Sequence, residues 1–123
     1  MNYLGIDFGT KRIGLAYSQQ GIIFTLPPLQ NDQHLFDNLL TILKEYQINK
    51  IYIGISEGKM ASLTQKFIDQ LALMVKLPIE SVEEAVSTLE AEDLFKKNLY
   101  SAKKHSRHID SMAAAIILNR VIN

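Results

Sequence analysis

The spacing of apolar residues switches repeatedly between strand and helix periods along this chain, and each switch marks a new element. Tyr3-Leu4-Gly5-Ile6 is a short apolar run that reads as a buried strand over residues 3–7. Residues 12–18 alternate, with Ile13, Leu15 and Tyr17 on one face. Gln19-Gln20-Gly21 is a short turn, and Ile22-Ile23-Phe24-Thr25-Leu26 forms a third strand that Pro27-Pro28 ends. Three such strands in succession predict an antiparallel meander. The period then becomes helical: Leu35, Phe36, Leu39, Leu40, Leu43 and Tyr46 share a stripe, with Asn31 or Asp32 as N-cap. Residues 50–55 are a short apolar strand. Residues 61–75 form an amphipathic helix carrying Leu63, Phe67, Ile68, Leu71 and Val75, and residues 78–82 a fifth strand. Ser87-Thr88-Leu89-Glu90 is a capping box that opens a helix running to about Leu99. A polar, basic connection follows. The last helix begins near Arg107 and holds Ile109, Met112, Ala113, Ile116, Ile117 and Val121.

The resulting order, βββαβαβαα, predicts an α/β fold. Its five-stranded mixed sheet joins a three-strand antiparallel meander to parallel βα units, with helices on both faces. At 123 residues the chain is expected to be a single domain, residues 1–123, large enough for a hydrophobic core without staples. Composition then removes several classes of function. There is no cysteine, so disulfide frameworks and zinc–thiolate sites are excluded, in keeping with a reducing cytoplasm. No apolar run is long enough to span a bilayer, and Met1-Asn2-Tyr3 lacks the basic region and apolar segment of a signal peptide. Thirteen acids balance thirteen Lys and Arg, so a globally basic nucleic-acid binder is not indicated and any phosphate contact must come from a local patch.

Three carboxylates carry the chemistry. Asp7 ends the first strand and runs into the glycine turn Phe8-Gly9-Thr10. Ligands of α/β sheets gather beyond the carboxyl ends of parallel strands. Glu83 and Glu84 follow the fifth strand, so parallel first, fourth and fifth strands would bring Asp7 and one of these glutamates to the same edge. Asp110 lies in the first turn of the last helix, where the helix dipole favours an anion. The small residues Ala113, Ala114 and Ala115 let that helix approach the sheet closely. Converging carboxylates need a cation, and a hard divalent ion with oxygen ligands, Mg²⁺ or Mn²⁺, meets that need. Two such ions about 3.5–4 Å apart can activate water and stabilise the leaving oxygen of a phosphodiester. Taken singly, Asp7 can be a turn-capping residue, Glu83 and Glu84 solvated acids before a helix, and Asp110 first-turn decoration. The functional reading rests on their occurring together.

Basic residues are fewer and more ambiguous. Lys11 and Arg12 sit in the turn beside Asp7, either as phosphate contacts or as a solvated hairpin. Lys96, Lys97, Lys103, Lys104, His105, Arg107 and His108 form the main basic cluster, just before Asp110. A nucleic-acid backbone held there, by Lys103, Lys104 and Arg107 above all, would bind with strong salt dependence. His105 and His108 read as surface histidines, while Tyr17, Tyr46, Phe67, Met60 and Met74 read as packing residues.

At this point the chain resembles the YqgF/RuvX family, pre-16S rRNA nucleases also described as Holliday junction resolvase-like. Gly5-Ile6-Asp7-Phe8-Gly9-Thr10-Lys11-Arg12-Ile13-Gly14 is similar to the family's opening motif, and Ile51-Tyr52-Ile53-Gly54-Ile55 to its apolar strand ending in Gly. Glu83-Glu84-Ala85-Val86-Ser87-Thr88 and Ile109-Asp110-Ser111-Met112-Ala113-Ala114 resemble the two later motifs, so the likeness covers essentially the whole chain. The resemblance implies an RNase H-like fold and a metal site whose catalytic acids are Asp7, Glu84 and Asp110. It further implies cytoplasmic processing of the 5′ end of pre-16S rRNA, leaving a 5′-phosphate and a 3′-hydroxyl. Two positions depart from the family pattern: Ala85 where Arg is common, and Ser56 where Pro is usual. Both bear on substrate positioning more than on the acids.

The expected activity is therefore metal-dependent hydrolysis of phosphodiester bonds in structured precursor rRNA, by a monomer or weak homodimer. Resolution of branched DNA on the same fold is the alternative, and it needs a symmetric dimer. A catalytically weak, rRNA-binding member of the family is a third reading. The Asp-x-Gly-Thr motif also resembles the phosphate loop of sugar kinases and actin-like ATPases, but those need two lobes to enclose a nucleotide.

Overall fold

The computed structural model describes residues 1–55, 58–83 and 111–122. In chain order the elements are β1 (Tyr3–Asp7), β2 (Arg12–Gln19), β3 (Ile22–Gln30), α1 (Leu35–Glu45), β4 (Lys50–Ile55), α2 (Lys59–Met74), β5 (Ile79–Glu83) and α3 (Met112–Ile122). The helix expected over 87–99 and the expected start of the last helix at 107 lie outside the described residues.

The sheet has five strands in the order β3-β2-β1-β4-β5. β1 pairs antiparallel with β2, and β2 with β3; β1 pairs parallel with β4, and β4 with β5. The expected meander and parallel half are both present. The β2–β3 hairpin turns on Gln20 and Gly21, whose φ values of 54° and 78° are the two positive angles that a two-residue type I′ connection requires.

Several element boundaries differ from the sequence expectation, each for a local reason. β3 does not stop at Leu26 but continues through Pro27-Pro28 to Gln30. It is an edge strand, and its register shifts so that both prolines lie opposite the single residue Gly14, between the pairs Ile13–Leu29 and Leu15–Leu26. Proline lacks an N–H to give to a ladder, and a bulge on an edge strand is where that costs least. Asp32 does not occupy the cap position of α1, which falls at His34. Its carboxylate accepts the His34 N–H (2.9 Å) and its carbonyl the Leu35 N–H (3.1 Å), forming a turn just ahead of the helix. α2 starts at Lys59, after Gly58 with φ +82°, and β5 is displaced by one residue to end on Glu83.

Period-two alternation divides the sheet into two cores. Leu4, Ile6, Ile13, Leu15, Ile51 and Ile53 point to the face covered by α1 and α2, where they meet Leu39, Leu43, Phe67 and Leu71. Ala16, Ile23 and Tyr52 point to the other face, covered by α3 through Ala114, Ala115, Ile117 and Leu118. Burial of each full-sized aliphatic side chain favours folding by about 1.5–3 kcal/mol. Leu40, Leu63 and Met74 depart from the expected packing: they are 38%, 42% and 53% exposed. No helix among the described residues is long and apolar enough to cross a membrane.

The alanines of α3 bring its backbone onto the sheet, as their small size predicts. A Cβ on Gly5 would stand 2.7 Å from the Ala114 carbonyl oxygen and 2.7 Å from Leu118 Cγ. Backbone atoms cannot yield as a side-chain tip can, so this glycine sets the helix-to-sheet distance. Gly5→Ala is expected to destabilise the fold by about 1–3 kcal/mol through overpacking. Urea denaturation measures this, and an unchanged midpoint would show that α3 does not rest on β1.

Candidate catalytic edge

β1, β4 and β5 run parallel and finish at one edge, with Asp7, Ile55 and Glu83 as their last residues. Asp7 stands in register with Gly14 on one side and Gly54 on the other. Neither neighbour has a side chain to fill the space beside the carboxylate. Asp7 is half-buried and has no hydrogen-bond or ion-pair partner among the described residues. A carboxylate at a strand end, between two glycines and without a protein donor, can accept an external cation or a donor from a ligand.

The alternation that places Asp7, Gly54 and Val82 on the α3 face sends Phe8 into the α1/α2 core. It also separates Glu83 from Asp7. Glu83 shares its face with Ser81 and Ile79, and Ile79 packs on the α1/α2 side. Glu84 and Asp110 lie outside the described residues, as do Lys103, Lys104, Arg107 and the rest of the basic cluster. Asp7, Lys11 and Arg12 are thus the predicted site residues that the structure describes. Lys11 and Arg12 are exposed in the turn that leaves β1 and at the start of β2. Among the described residues, no three His, Cys, Asp or Glu side chains gather into a metal-binding group.

The turn itself is held from below. A Cβ on Gly9 would collide with the Arg12 carbonyl oxygen, so only glycine lets the chain fold this tightly. Asn31 clamps the turn at both sides: its side-chain amide donates to the Gly9 carbonyl (2.8 Å) and its backbone N–H donates to the Lys11 carbonyl (2.9 Å). Asn31 is therefore a brace for the Asp7 turn and not the cap of α1. Local sequence offered no signal for this, because the partners lie twenty or more positions away.

Ser111 is the second brace. It is fully buried, accepts the Leu15 N–H (3.0 Å) and donates to the Leu26 carbonyl (2.7 Å). Leu15 and Leu26 face each other at the β2–β3 bulge, and the hydroxyl bridges them. Leu15 directly follows Gly14, the residue in register with Asp7, so the start of α3 is fixed next to the Asp7 edge. Farther along α3, Arg120 Nη1 donates to the carbonyl of Glu83, the last residue of β5 (2.8 Å). α3 is therefore tied to both halves of the sheet.

Two described groups have displaced protonation. Burial, then the neighbouring Tyr46, pushes the Tyr17 hydroxyl up. The hydrogen bond to Tyr52 and the pairing with Glu80 outweigh desolvation and raise Lys50, which opens β4 at the end opposite Asp7.

A mixed sheet of this order, covered on both faces by helices, is the RNase H-like fold expected from the sequence. The crystal structure of the fowlpox virus Holliday junction resolvase shares it: TM-score 0.64 at 13% identity, over 99% of this chain and 98% of that one. The chain belongs to the RuvX family, whose model, described as Holliday junction resolvase, matches residues 1–123. Relatives agree along nearly the full length. A Maridesulfovibrio salexigens protein named "Putative pre-16S rRNA nuclease" is 36% identical over 128 residues, covering 96% of this chain and 95% of its own. An Anaeromyxobacter sp. protein of the same name is 32% identical over 129 residues, covering 96% and 93%.

Removing the Ser111 hydroxyl leaves a buried N–H and a buried carbonyl without their bridge. Ser111→Ala is expected to cost about 1–3 kcal/mol. It should also accelerate hydrogen exchange at the Leu15 amide relative to the amides of β4. Unchanged protection at Leu15 would contradict the bridging role.

Proposed function

We propose that this chain is a divalent-metal-dependent nuclease that hydrolyses phosphodiester bonds at the carboxyl edge of β1, β4 and β5. The observation that carries this reading is Asp7: a carboxylate at a strand end, without a partner among the described residues and in register with a glycine on each side. In the proposed site Asp7, Glu84 and Asp110 are the metal ligands. Glu84 is the residue after Glu83, which ends β5, and Asp110 is bonded to the anchored Ser111. Consecutive Cα atoms are only about 3.8 Å apart. The anchors at Glu83 and Ser111 therefore support a common site for the three acids.

An all-oxygen, all-anionic donor set fits Mg²⁺ or Mn²⁺. When bound, such an ion neutralises the carboxylates and lowers the pKa of water for attack on phosphorus. The chain's own residues supply the rest. Asp7 fixes the position of the reacting phosphate relative to the sheet, and the clamped turn offers Lys11 and Arg12 to flanking phosphates. Lys103, Lys104 and Arg107, in the stretch just before Asp110, extend the positive contact.

The favoured substrate is precursor 16S rRNA at its 5′ end, a reading supported by the names of full-length relatives. We take residues 1–123 as one nuclease domain working in the cytoplasm as a monomer or weak homodimer. Cleavage of branched DNA is the second reading, favoured by the family description and by the fold shared with a viral resolvase.

A direct comparison tests both. With Mn²⁺ present, the wild-type chain is expected to cut a precursor rRNA fragment faster than a four-way DNA junction. Asp7→Asn should reduce cleavage at least on the order of a hundredfold with the fold intact, and chelation with EDTA should abolish it. Equal cleavage by wild type and Asp7→Asn would end the catalytic assignment. Preference for the junction would select the second reading.

A further inference from the structure

A groove between α1 and α2 opens beside the catalytic edge, on the face of the sheet opposite α3. It encloses about 220 Å³, smaller than a pocket for a drug-sized ligand. Its floor is aromatic. The rings of Phe8 and Phe67 lie 4.9 Å apart at 31°, and those of Phe36 and Phe67 lie 5.7 Å apart at 25°. Phe67 is buried, but Phe8 and Phe36 are only half-buried, so part of each remains exposed. Leu63, 42% exposed, borders the same opening.

Polar groups at the rim are Asn31, Lys66 and Gln70. The Asn31 amide nitrogen is engaged with Gly9, but its Oδ1 has no partner among the described residues, and neither do Lys66 and Gln70. Among the described residues that line the groove, Lys66 is the one charged side chain and none is a carboxylate. On α2, Lys59, Leu63, Lys66 and Gln70 follow helical spacing along one stripe. Lys59 begins that helix, on the side where β4 ends in register with Asp7. Lys66 gives the rim of the groove its positive charge. Phe8 joins the groove to the Asp7 edge directly, because it is the residue after Asp7.

We propose that this groove receives one unpaired nucleobase of the substrate strand. The base stacks on Phe36 and Phe8, Lys66 meets an adjacent phosphate, and Asn31 and Gln70 meet the base's hydrogen-bonding edge. Stacking on aromatic side chains with charge on the backbone is how single-stranded nucleic acid is held. An apolar peptide would gain nothing from Lys66, whereas a phosphate does. The inference rests on the nuclease reading and narrows its substrate to nucleic acid with a single-stranded stretch beside the cleaved bond.

The test measures binding of the full chain, without added metal, to a fluorescent single-stranded RNA octamer and to the same sequence in a duplex. Phe36→Leu keeps the apolar volume and removes the ring face. Lys66→Ala alters an exposed residue and leaves the core untouched. Each variant is expected to bind the single strand about tenfold more weakly, while duplex binding and the melting temperature stay near wild type. An octamer carrying 5-iodouridine should photocrosslink to Phe8 or Phe36. Wild-type affinity in both variants, or crosslinks mapping elsewhere, overturns the base site. Altered self-association of Phe36→Leu in sedimentation, with RNA binding unchanged, assigns the groove to a second copy and likewise overturns it. Separate readouts distinguish the two proposals: octamer binding by Phe36→Leu and Lys66→Ala reports on the groove, whereas cleavage by Asp7→Asn reports on the catalytic assignment. Groove binding with undiminished cleavage by Asp7→Asn refutes the catalytic assignment alone.

Discussion

A single buried hydroxyl sets how α3 meets the antiparallel half of the sheet. Ser111 bridges the Leu15 N–H and the Leu26 carbonyl at the β2–β3 bulge, and in doing so fixes where α3 begins. The bulge, the two prolines and the serine form one device. Pro27 and Pro28 disrupt the regular ladder at the sheet's edge, and the hydroxyl bonds to both strands beside the disruption. Because Leu15 is adjacent to the in-register partner of Asp7, the same bond that satisfies the bulge also aligns the last helix with the first strand. Gly5 completes the alignment by admitting the α3 backbone to the sheet surface.

The two faces of the sheet then take different tasks. The α1/α2 face carries most of the large aliphatic burial and so contributes most of the hydrophobic stabilisation. The α3 face has a core in which small residues recur, Ala16, Ala114 and Ala115 among them, and its upper end holds Asp7 between Gly14 and Gly54. Among the described residues Asp7 has no protein donor, and the two glycines beside it lower β-propensity, so neither feature is accounted for by folding alone. The proposed cation site gives both a reason, and the chain belongs to the RuvX family.

Much of this was legible in the sequence, and the rest was not for identifiable reasons. β1 and β4 follow from apolar runs, β2 from alternation, and the turn expected at Gln19-Gln20-Gly21 from turn chemistry, all of them local, although Gln19 itself still belongs to β2. The place of Asp7 at the end of β1 was legible because the apolar run stops at it. Pro27-Pro28 misled, because local rules make proline a strand end while an edge position and a bulge, which only pairing reveals, tolerate it. Asn31 misled for the same reason: beside a helix it looks like a cap, yet its partners are Gly9 and Lys11. Leu40 and Leu63 satisfy the helical stripe but sit at its edge, where periodicity does not distinguish a core from a groove. Ser111 stood inside a recognised motif, but its role depends on two strands far away in the chain. Glu83 and Glu84 are adjacent in sequence, and strand alternation alone puts Glu83 on the face away from Asp7.

The central claim is that the edge marked by Asp7 is a divalent-cation site shared by carboxylates remote in sequence. A crystal of the full chain soaked in Mn²⁺ and measured at the manganese absorption edge addresses it most directly. An anomalous peak at coordination distance from the Asp7 carboxylate, with Glu84 and Asp110 completing the oxygen shell, is the expected result. A peak elsewhere, or the three side chains facing separate surfaces around an empty Asp7, would contradict it.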